Sequence, residues 1–190
     1  IDADPQANST TSVGFHRDSY EYNLYHVMLG TKTLDEIILK TNIENLDIAP
    51  SNIGLVGIEK EFYKNKKGRE FLLKNKINSL ETQYDFIVID APPALGPITI
   101  NILSASTSVI IPIQCEFFAL EGLAQLLNTI KLVKQTLNPK LTVRGFLPPM
   151  YSAQNNLSKQ VFADLTKHFK AKLFRSSSDS YIVVPRNIKL

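Results

Sequence analysis

Three aspartates stand where apolar stretches of the sequence end. Asp2 and Asp4 flank one alanine directly after Ile1, and Asp90 closes the apolar run Phe86–Ile89. Carboxylates that meet at the ends of neighbouring strands are the groups that a Mg²⁺-nucleotide site uses. A single acid at a strand end is more often a turn former or a helix cap, so the prediction depends on the two strand ends lying together.

Predicted strands and helices alternate along the sequence, and these elements must position the acids. The segments YDFIVIDAPP, TSVIIPIQ and LTVRGFLPPM each carry an apolar run and then a proline, which is typical of strands buried on both faces. Between and after them, FALEGLAQLLNTIKLVKQTLNP, GREFLLKNKINSLE and NLSKQVFADLTKHFK have helical periodicity, and TLDE at Thr33–Glu36 is a capping box that predicts another short helix. This order predicts an α/β fold, with a mostly parallel twisted sheet, helices on both faces and ligands at the carboxyl ends of the strands.

Length, composition and charge restrict the class of protein. The 190 residues are 44% hydrophobic and 21% charged, which fits one globular domain. The single cysteine, Cys115, cannot form an internal disulfide, so we expect a reducing, cytoplasmic location. From Asn156 onward there are seven basic and two acidic residues, so this segment has a net charge of +5 and the rest of the chain a net charge of −2. The asymmetry predicts a polyanionic partner, although an ordinary solvated helix face explains the charge alone equally well.

Four stretches together resemble the ParA/Soj chromosome- and plasmid-partitioning ATPases. They are IDADPQANSTTSVGF, YDFIVIDAPPALGPITINIL, VIIPIQCEFFALEGLAQLL and VPRNIKL, and the resemblance runs through essentially the whole chain. These ATPases belong to the deviant Walker-A P-loop class, together with the MinD and nitrogenase iron proteins. The resemblance implies one domain over residues 1–190 with a P-loop NTPase fold, ATP and Mg²⁺ as cofactors, and a weak ATPase activity of the full-length protein.

The resemblance also implies roles for individual residues. Asp4 matches the acid that orients the attacking water, Asp2 the acid near the magnesium shell, and Asp90 the Walker B aspartate that holds Mg²⁺ through water. The positions implied for nucleotide binding, on the adenine or across a sandwich dimer, are Pro148, Met150, Pro185 and Glu116. The positions implied for DNA binding are Arg186 and Lys189, with Lys159, Lys167 and Lys170 as the next candidates.

One departure from the family concerns its phosphate-binding loop. The sequence KGGxGKT is absent from the 190 residues, and KKGRE at Lys66–Glu70 has a single glycine and opens an ordinary helix. Because that loop supplies the donors that stabilise charge on the transferring phosphate, we expect this stretch alone to be inactive. The resemblance implies that a P-loop strand and helix precede Ile1, and that a final helix follows Leu190, in a longer protein.

The function implied is ATP-dependent DNA segregation at the nucleoid, with no membrane. Mg-ATP would close a homodimer that binds double-stranded DNA without reading its sequence, and a ParB-like partner would trigger hydrolysis. Two alternatives stay open: a MinD-type membrane-cycling ATPase, whose basic amphipathic C-terminal helix would lie beyond Leu190, and a non-enzymatic DNA-binding module. One cysteine excludes a nitrogenase-type cluster, and the glycine fingerprint of a dinucleotide oxidoreductase is not present.

Overall fold

The computed structural model describes residues 1–64, 68–115, 119–149 and 154–174. The chain forms two compact units, Ile1–Ser106 and Thr107–Leu190. The prediction of one domain over residues 1–190 stays a prediction. The elements of the first unit are, in order, α1 (Asn8–Ser12), α2 (Leu24–Leu29), β1 (Leu39–Lys40), β2 (Asp47–Ile48), a 3₁₀ helix (Ile53–Gly57), α3 (Ile58–Lys64), a second 3₁₀ helix (Arg69–Phe71), α4 (Leu72–Asn78) and α5 (Pro97–Ala105).

The segment that carries Asp2 lies between two other extended segments. Asp2 N donates to Ala49 O at 3.0 Å on one side. On the other side Asp90 N donates to Ile1 O and Ala3 N donates to Asp90 O, both at 2.9 Å. The bridge between Asp2 and Asp90 is parallel, so the two acids lie at the same end of adjacent segments, as the sequence predicts.

The run Phe86–Ile89 does not form a regular strand, since only Asp90 makes a bridge, and the prediction that the run is buried on both faces is wrong. The side chain of Phe86 is 86% exposed and that of Val88 is 77% exposed. The apolar composition shows only that the run suits burial, whereas burial itself requires an element packed over each face. In the part of the chain that the structure describes, nothing covers these two side chains.

The predicted capping box forms, but the helix expected after it does not. Thr33 N donates to Glu36 Oε2 at 2.7 Å, and Glu36 N donates to Thr33 Oγ1 at 3.3 Å. The chain then makes one turn, in which Ile37 and Ile38 donate to Leu34 O, and enters β1, which pairs antiparallel with β2. We attribute the difference to the two β-branched residues, which favour an extended backbone.

A second capping box, which the sequence analysis missed, opens α2. Tyr25 N donates to Asn23 Oδ1 at 3.0 Å, and Asn23 N donates to His26 Nδ1 at 3.3 Å. Histidine replaces the usual Glu or Gln at the third helical position, and this hides the motif in the sequence. The helix ends at Gly30, whose φ of 81° lies in the left-handed region that favours glycine.

The segment that carries Asp2 and Asp4 packs into the hydrophobic core of the first unit. Ala3, which separates Asp2 from Asp4, is fully buried in this core. The residue pair therefore cannot shift along its segment without disturbing the packing. The buried members of the core are Ala3, Leu24, Val27, Met28, Leu34, Ile37, Ala49, Leu55, Ile58, Phe62, Leu73, Ile98 and Ile102.

The second unit contains the other predicted strands and helices. Its elements are β3 (Ser108–Pro112), α6 (Ala119–Thr136), β4 (Thr142–Leu147), α7 (Asn156–Phe169) and a 3₁₀ helix (Lys170–Lys172). Strands β3 and β4 pair in parallel, as predicted, and the register shift between Val109 and Ile110 leaves Arg144 as a bulge. Among the described residues, no helix combines the length and the hydropathy that a membrane span requires.

Gly145 lies at a position of β4 where a side chain does not fit. A Cβ atom there would lie 2.6 Å from Lys172 O and 3.1 Å from Phe174 Cε2. We expect Gly145→Ala to lower the free energy of unfolding of the full-length protein by about 1–3 kcal/mol, measured by urea denaturation. Gly122→Ala in α6, where no atom lies within 4 Å, is the matched control and should be neutral or stabilising by up to ~1 kcal/mol. Equal effects of the two substitutions would contradict this packing.

Candidate functional site

The three predicted acids of the first unit lie together, and the short helix α1 returns to them. Asp4 N donates to Asp2 Oδ1 at 3.1 Å, so the two acids belong to one turn. From α1, Ser9 Oγ donates to Asp90 Oδ2 at 2.5 Å. Thr10 N and Thr10 Oγ1 both donate to Asp2 Oδ2, at 2.8 and 2.7 Å. Consecutive residues of one helix thus hold the acids of two neighbouring segments.

Asp90 presents an exposed carboxylate with a single described hydrogen-bond donor. It is exposed at the end of its segment. Among the described residues only Ser9 donates to its carboxylate. Mg²⁺ prefers oxygen ligands, keeps several waters and commonly uses one or two carboxylates together with substrate phosphates. The described residues contain no group of three or more His, Cys, Asp and Glu that could hold a metal by themselves. The exposed Asp90 carboxylate, with one oxygen that accepts no hydrogen bond from a described residue, fits as one such ligand beside substrate phosphates.

Asp4 is half-buried and uses one carboxylate oxygen to hold its own turn. Gln6 N donates to Asp4 Oδ1 at 2.9 Å, and Ala7 N donates to Asp4 O at 3.0 Å. Ala7 completes the turn with a φ of 58°, in the left-handed region. No described residue donates to Asp4 Oδ2, so this oxygen can accept a hydrogen bond from a water molecule.

Asp2 has a different environment from the other two acids. It is 0% exposed, and its carboxylate accepts hydrogen bonds from Thr10 N, Thr10 Oγ1 and Asp4 N. These donors satisfy most of the acceptor capacity of a carboxylate and explain how a buried charge is tolerated. The predicted place of Asp2 near the magnesium shell stays a prediction, and the observed contacts make it an acceptor that organises the turn.

Ser51 connects the buried carboxylate to a neighbouring aromatic residue. Ser51 N donates to Thr10 Oγ1 at 3.2 Å, and Tyr20 Oη donates to Ser51 O at 2.5 Å. Burial raises the pKa of the Tyr20 phenol, and the negative charge of Asp2 raises it further. Tyr20 therefore stays protonated at physiological pH and keeps its role as a donor.

The other predicted site residues lie in the second unit or outside the described residues. Pro148 is buried just after β4. Lys159, Lys167 and Lys170 are exposed. The predicted positions outside the described residues are Glu116, Met150, Pro185, Arg186 and Lys189.

The three exposed lysines lie on one side of α7 and of the 3₁₀ turn that follows it. At about 100° per helical residue, Lys159, Lys167 and Lys170 fall within roughly 80° of arc. The buried residues Ser158, Val161 and Leu165 lie on the opposite side of the helix. A basic stripe opposite a buried face is the arrangement that a polyanion could contact.

Sequence reasoning missed Ser9 and Thr10, which carry most of the hydrogen bonds to the acids. The run ANSTTS looks like an ordinary polar connection, because hydroxyl residues are common in turns. The one signal in the sequence was that the hydroxyl residues Ser9 and Thr10 follow the carboxylates Asp2 and Asp4 within a few positions.

Comparisons with known proteins identify the family of the chain. Residues 1–143 match a family model described as an AAA domain. Over its full length the chain is 42% identical to the sporulation initiation inhibitor protein Soj of Bacillus subtilis (strain 168) and covers 72% of that protein. It is 39% identical to the chromosome partitioning protein ParA of Myxococcus xanthus (strain DK1622), of which it covers 65%. The chain belongs to the ParA/Soj family of partitioning ATPases.

Solved structures extend the ParA/Soj assignment to the fold. A cobyrinic acid a,c-diamide synthase from Mycobacterium smegmatis, with bound ATP analogue and magnesium, superposes with a TM-score of 0.85 at 33% identity, over 99% of this chain and 74% of that one. A putative plasmid partition protein from Borrelia burgdorferi bound to AMPPNP has a TM-score of 0.71 at 27% identity, over 88% of this chain and 68% of that one. These likenesses confirm the predicted P-loop-type α/β fold of this ParA/Soj chain.

Proposed function

We propose that the whole protein is an ATP-dependent DNA segregation protein with weak ATPase activity. In this proposal Mg-ATP closes a homodimer, the dimer binds double-stranded DNA without reading its sequence at the nucleoid in the cytoplasm, and a ParB-like partner triggers hydrolysis. The observation that carries the ATPase part is the pair Asp4 and Asp90, which lie at one edge of adjacent segments with carboxylate oxygens left for water. Relatives that are named as chromosome partitioning proteins, from Myxococcus xanthus and Treponema pallidum, support the partitioning role.

Each acid has its own role in the proposal. Asp4 is the catalytic residue, because its Oδ2 can accept a hydrogen bond from the attacking water and align it. Asp90 would hold Mg²⁺ through water, and Ser9 orients the Asp90 carboxylate. When bound, Mg²⁺ neutralises charge that develops on the phosphates. Asp2 touches neither water nor phosphate in this scheme and acts through the turn that carries Asp4.

The phosphate-binding loop of the family is not among the 190 residues, so the proposal assigns it to the rest of the whole protein. The chain spans 72% and 65% of the length of the two curated relatives described above. The stretch 1–190 alone is therefore proposed to be inactive. Pro148, Met150 and Pro185 are proposed to border the adenine, and Glu116 is proposed to reach across the dimer.

Removal of the Asp90 carboxylate tests the metal-binding part of the proposal. In the full-length protein, Asp90→Ala should weaken Mg²⁺-dependent ATP binding by about 10-fold or more, because the groups that hold metal-bound water contribute this much to metal affinity. The measurement is the ATP dissociation constant with Mg²⁺ and with EDTA, by titration calorimetry. Binding in EDTA should change little.

Asp85→Ala is the matched control for this experiment. Asp85 is an exposed aspartate in the same segment, five positions before Asp90, and removing it changes the charge by the same amount. It should leave both dissociation constants near normal. Undiminished Mg²⁺-dependent binding in Asp90→Ala, with a folded protein, would remove Asp90 from the proposed site.

A further inference from the structure

The buried hydrogen-bond network around Asp2 has no role in the proposed function beyond supporting the turn. Asp2, Thr10 and Ser51 are each 0% exposed, so bulk solvent does not reach them. Thr10 is the centre of the network, since its hydroxyl contacts both a carboxylate and a backbone amide. All other polar groups at this site, including Asp4, Ser9 and Asp90, are at least partly accessible.

The direction of each hydrogen bond in the network is fixed by chemistry. Ser51 N can only donate, so Thr10 Oγ1 is the acceptor at 3.2 Å and its proton points to Asp2 Oδ2 at 2.7 Å. Thr10 N adds a second donor to the same oxygen at 2.8 Å. The other oxygen, Asp2 Oδ1, is then oriented towards Asp4 N at 3.1 Å.

We propose that Thr10 is a positioning residue for Asp4: by fixing the orientation of the buried Asp2 carboxylate, it holds the backbone amide of Asp4 and so the direction of the Asp4 side chain. This inference rests on the proposed function, in which Asp4 aligns the attacking water. The Thr10 hydroxyl touches neither the water nor the nucleotide.

The physical reason is that alignment is sensitive to small displacements. A catalytic group must be held to a fraction of an ångström by neighbours whose own rotamers are fixed, and a misplacement of about 1 Å can cost on the order of 100-fold in rate. Without the Thr10 hydroxyl, Asp2 Oδ2 loses its donor at 2.7 Å and Ser51 N loses its acceptor. Thr10 N is then the one described donor left at Asp2 Oδ2, so the orientation of the carboxylate is fixed less tightly and the hydrogen bond from Asp4 N is weakened.

The test compares substitutions of two adjacent threonines in the full-length protein. Thr10→Val keeps the shape of the side chain and removes the hydroxyl, whereas Thr10→Ser keeps the hydroxyl. Thr11→Val is the matched control, because the described hydrogen bond of Thr11 Oγ1 is a local one, to the carbonyl of Ala7 at the N-cap of α1, at 3.0 Å. We expect Thr10→Val to lower kcat by about 10- to 100-fold with an ATP dissociation constant within about threefold of normal. Thr10→Ser and Thr11→Val should stay near normal.

A readout that does not need turnover accompanies the kinetics. In nucleotide-free protein, residue-resolved amide hydrogen exchange at Asp4 should be about 10-fold faster in Thr10→Val and unchanged in Thr11→Val. An unchanged Asp4 amide together with normal kcat in a folded Thr10→Val protein would overturn the proposal. A lower melting temperature with normal kcat would also overturn it, since the network would then serve stability alone.

Asp2→Asn is the second variant, should Thr10→Val fail to fold. It keeps the volume of the side chain and one acceptor oxygen but places a donor against Thr10 or Asp4 N, so the same loss of kcat is expected. Failure of both variants to fold would mean that the network serves the fold, and would overturn the proposal. The proposed function is tested by a different variant: normal hydrolysis in Asp4→Ala would reject it. If Asp4→Ala loses activity and folded Thr10→Val does not, only the role of Thr10 is rejected.

Discussion

Alanine in place of Asp4 is expected to reduce ATP hydrolysis by the full-length protein about 100-fold or more, while ATP binding and ATP-dependent dimerisation stay near normal. The loss corresponds to about 2.7 kcal/mol in the activation free energy. Asp4 Oδ1 is used by Gln6 N and Oδ2 is left for water, so the substitution removes an interaction that matters in the transition state. Steady-state phosphate release, an ATP dissociation constant and the molar mass in ATP measure the three quantities.

The control for Asp4→Ala is Asp18→Ala, which removes an exposed carboxylate from the same unit. It should leave all three quantities near normal. The turn at Asp4 is also held by Ala7 N on the backbone carbonyl, so the variant should keep its fold. Loss of ATP binding in Asp4→Ala, with residual turnover preserved, would mean that the roles proposed for Asp4 and Asp90 are reversed.

Reversal of the charges at Arg186 and Lys189 is expected to abolish most of the ATP-dependent DNA binding of the full-length protein. The two residues belong to the segment from Asn156 onward, which carries +5 in a chain of net charge +3. Phosphate contacts contribute affinity that falls steeply with salt, and each lost contact should reduce the slope of log K against log salt concentration by about 0.9. Fluorescence anisotropy with two unrelated duplexes at several salt concentrations measures both affinity and slope.

The matched control for Arg186→Glu with Lys189→Glu is Lys131→Glu with Lys134→Glu. This second pair lies on the exposed face of α6 and changes the net charge by the same amount. It should reduce DNA affinity only slightly, and ATP hydrolysis without DNA should be near normal in both double variants. Equal losses would indicate a general effect of net charge. Unchanged affinity at Arg186 and Lys189 would move the DNA surface to the basic stripe of Lys159, Lys167 and Lys170.

The sequence was sufficient to find the acids, because each of them has a strong local signal. An aspartate directly after an apolar run predicts a strand end, and the parallel bridge between Asp2 and Asp90 confirms that the two ends are adjacent. The sequence did not distinguish the environments of Asp2 and Asp4, which are two positions apart. Burial of Asp2 depends on Thr10 and on Ser51, which lies 41 positions beyond Thr10, and no local pattern predicts such a contact.

The two mistaken predictions have different physical origins. Thr33 and Glu36 make the capping hydrogen bonds that the sequence predicts, but Ile37 and Ile38 turn the chain into β1 instead of a helix. Phe86 and Val88 have the composition of buried strand residues and are exposed. In the first case the extended preference of two β-branched residues outweighed the capping box. In the second case the apolar composition was identified correctly, but no described element packs over the side chains.

The hydrogen bond between Ser9 and Asp90 has a consequence for the order of events in folding. Its partners are 81 residues apart in sequence, so closing it requires most of the first unit to be gathered first. Contacts of such high sequence separation carry a large loop-closure entropy and form late. The α-helices between them, α2, α3 and α4, have six or seven residues each, so they too depend on the packing of the unit for their stability. The cluster of Asp2, Ser9, Thr10 and Asp90 is therefore a property of the folded first unit and not of any short stretch of the chain.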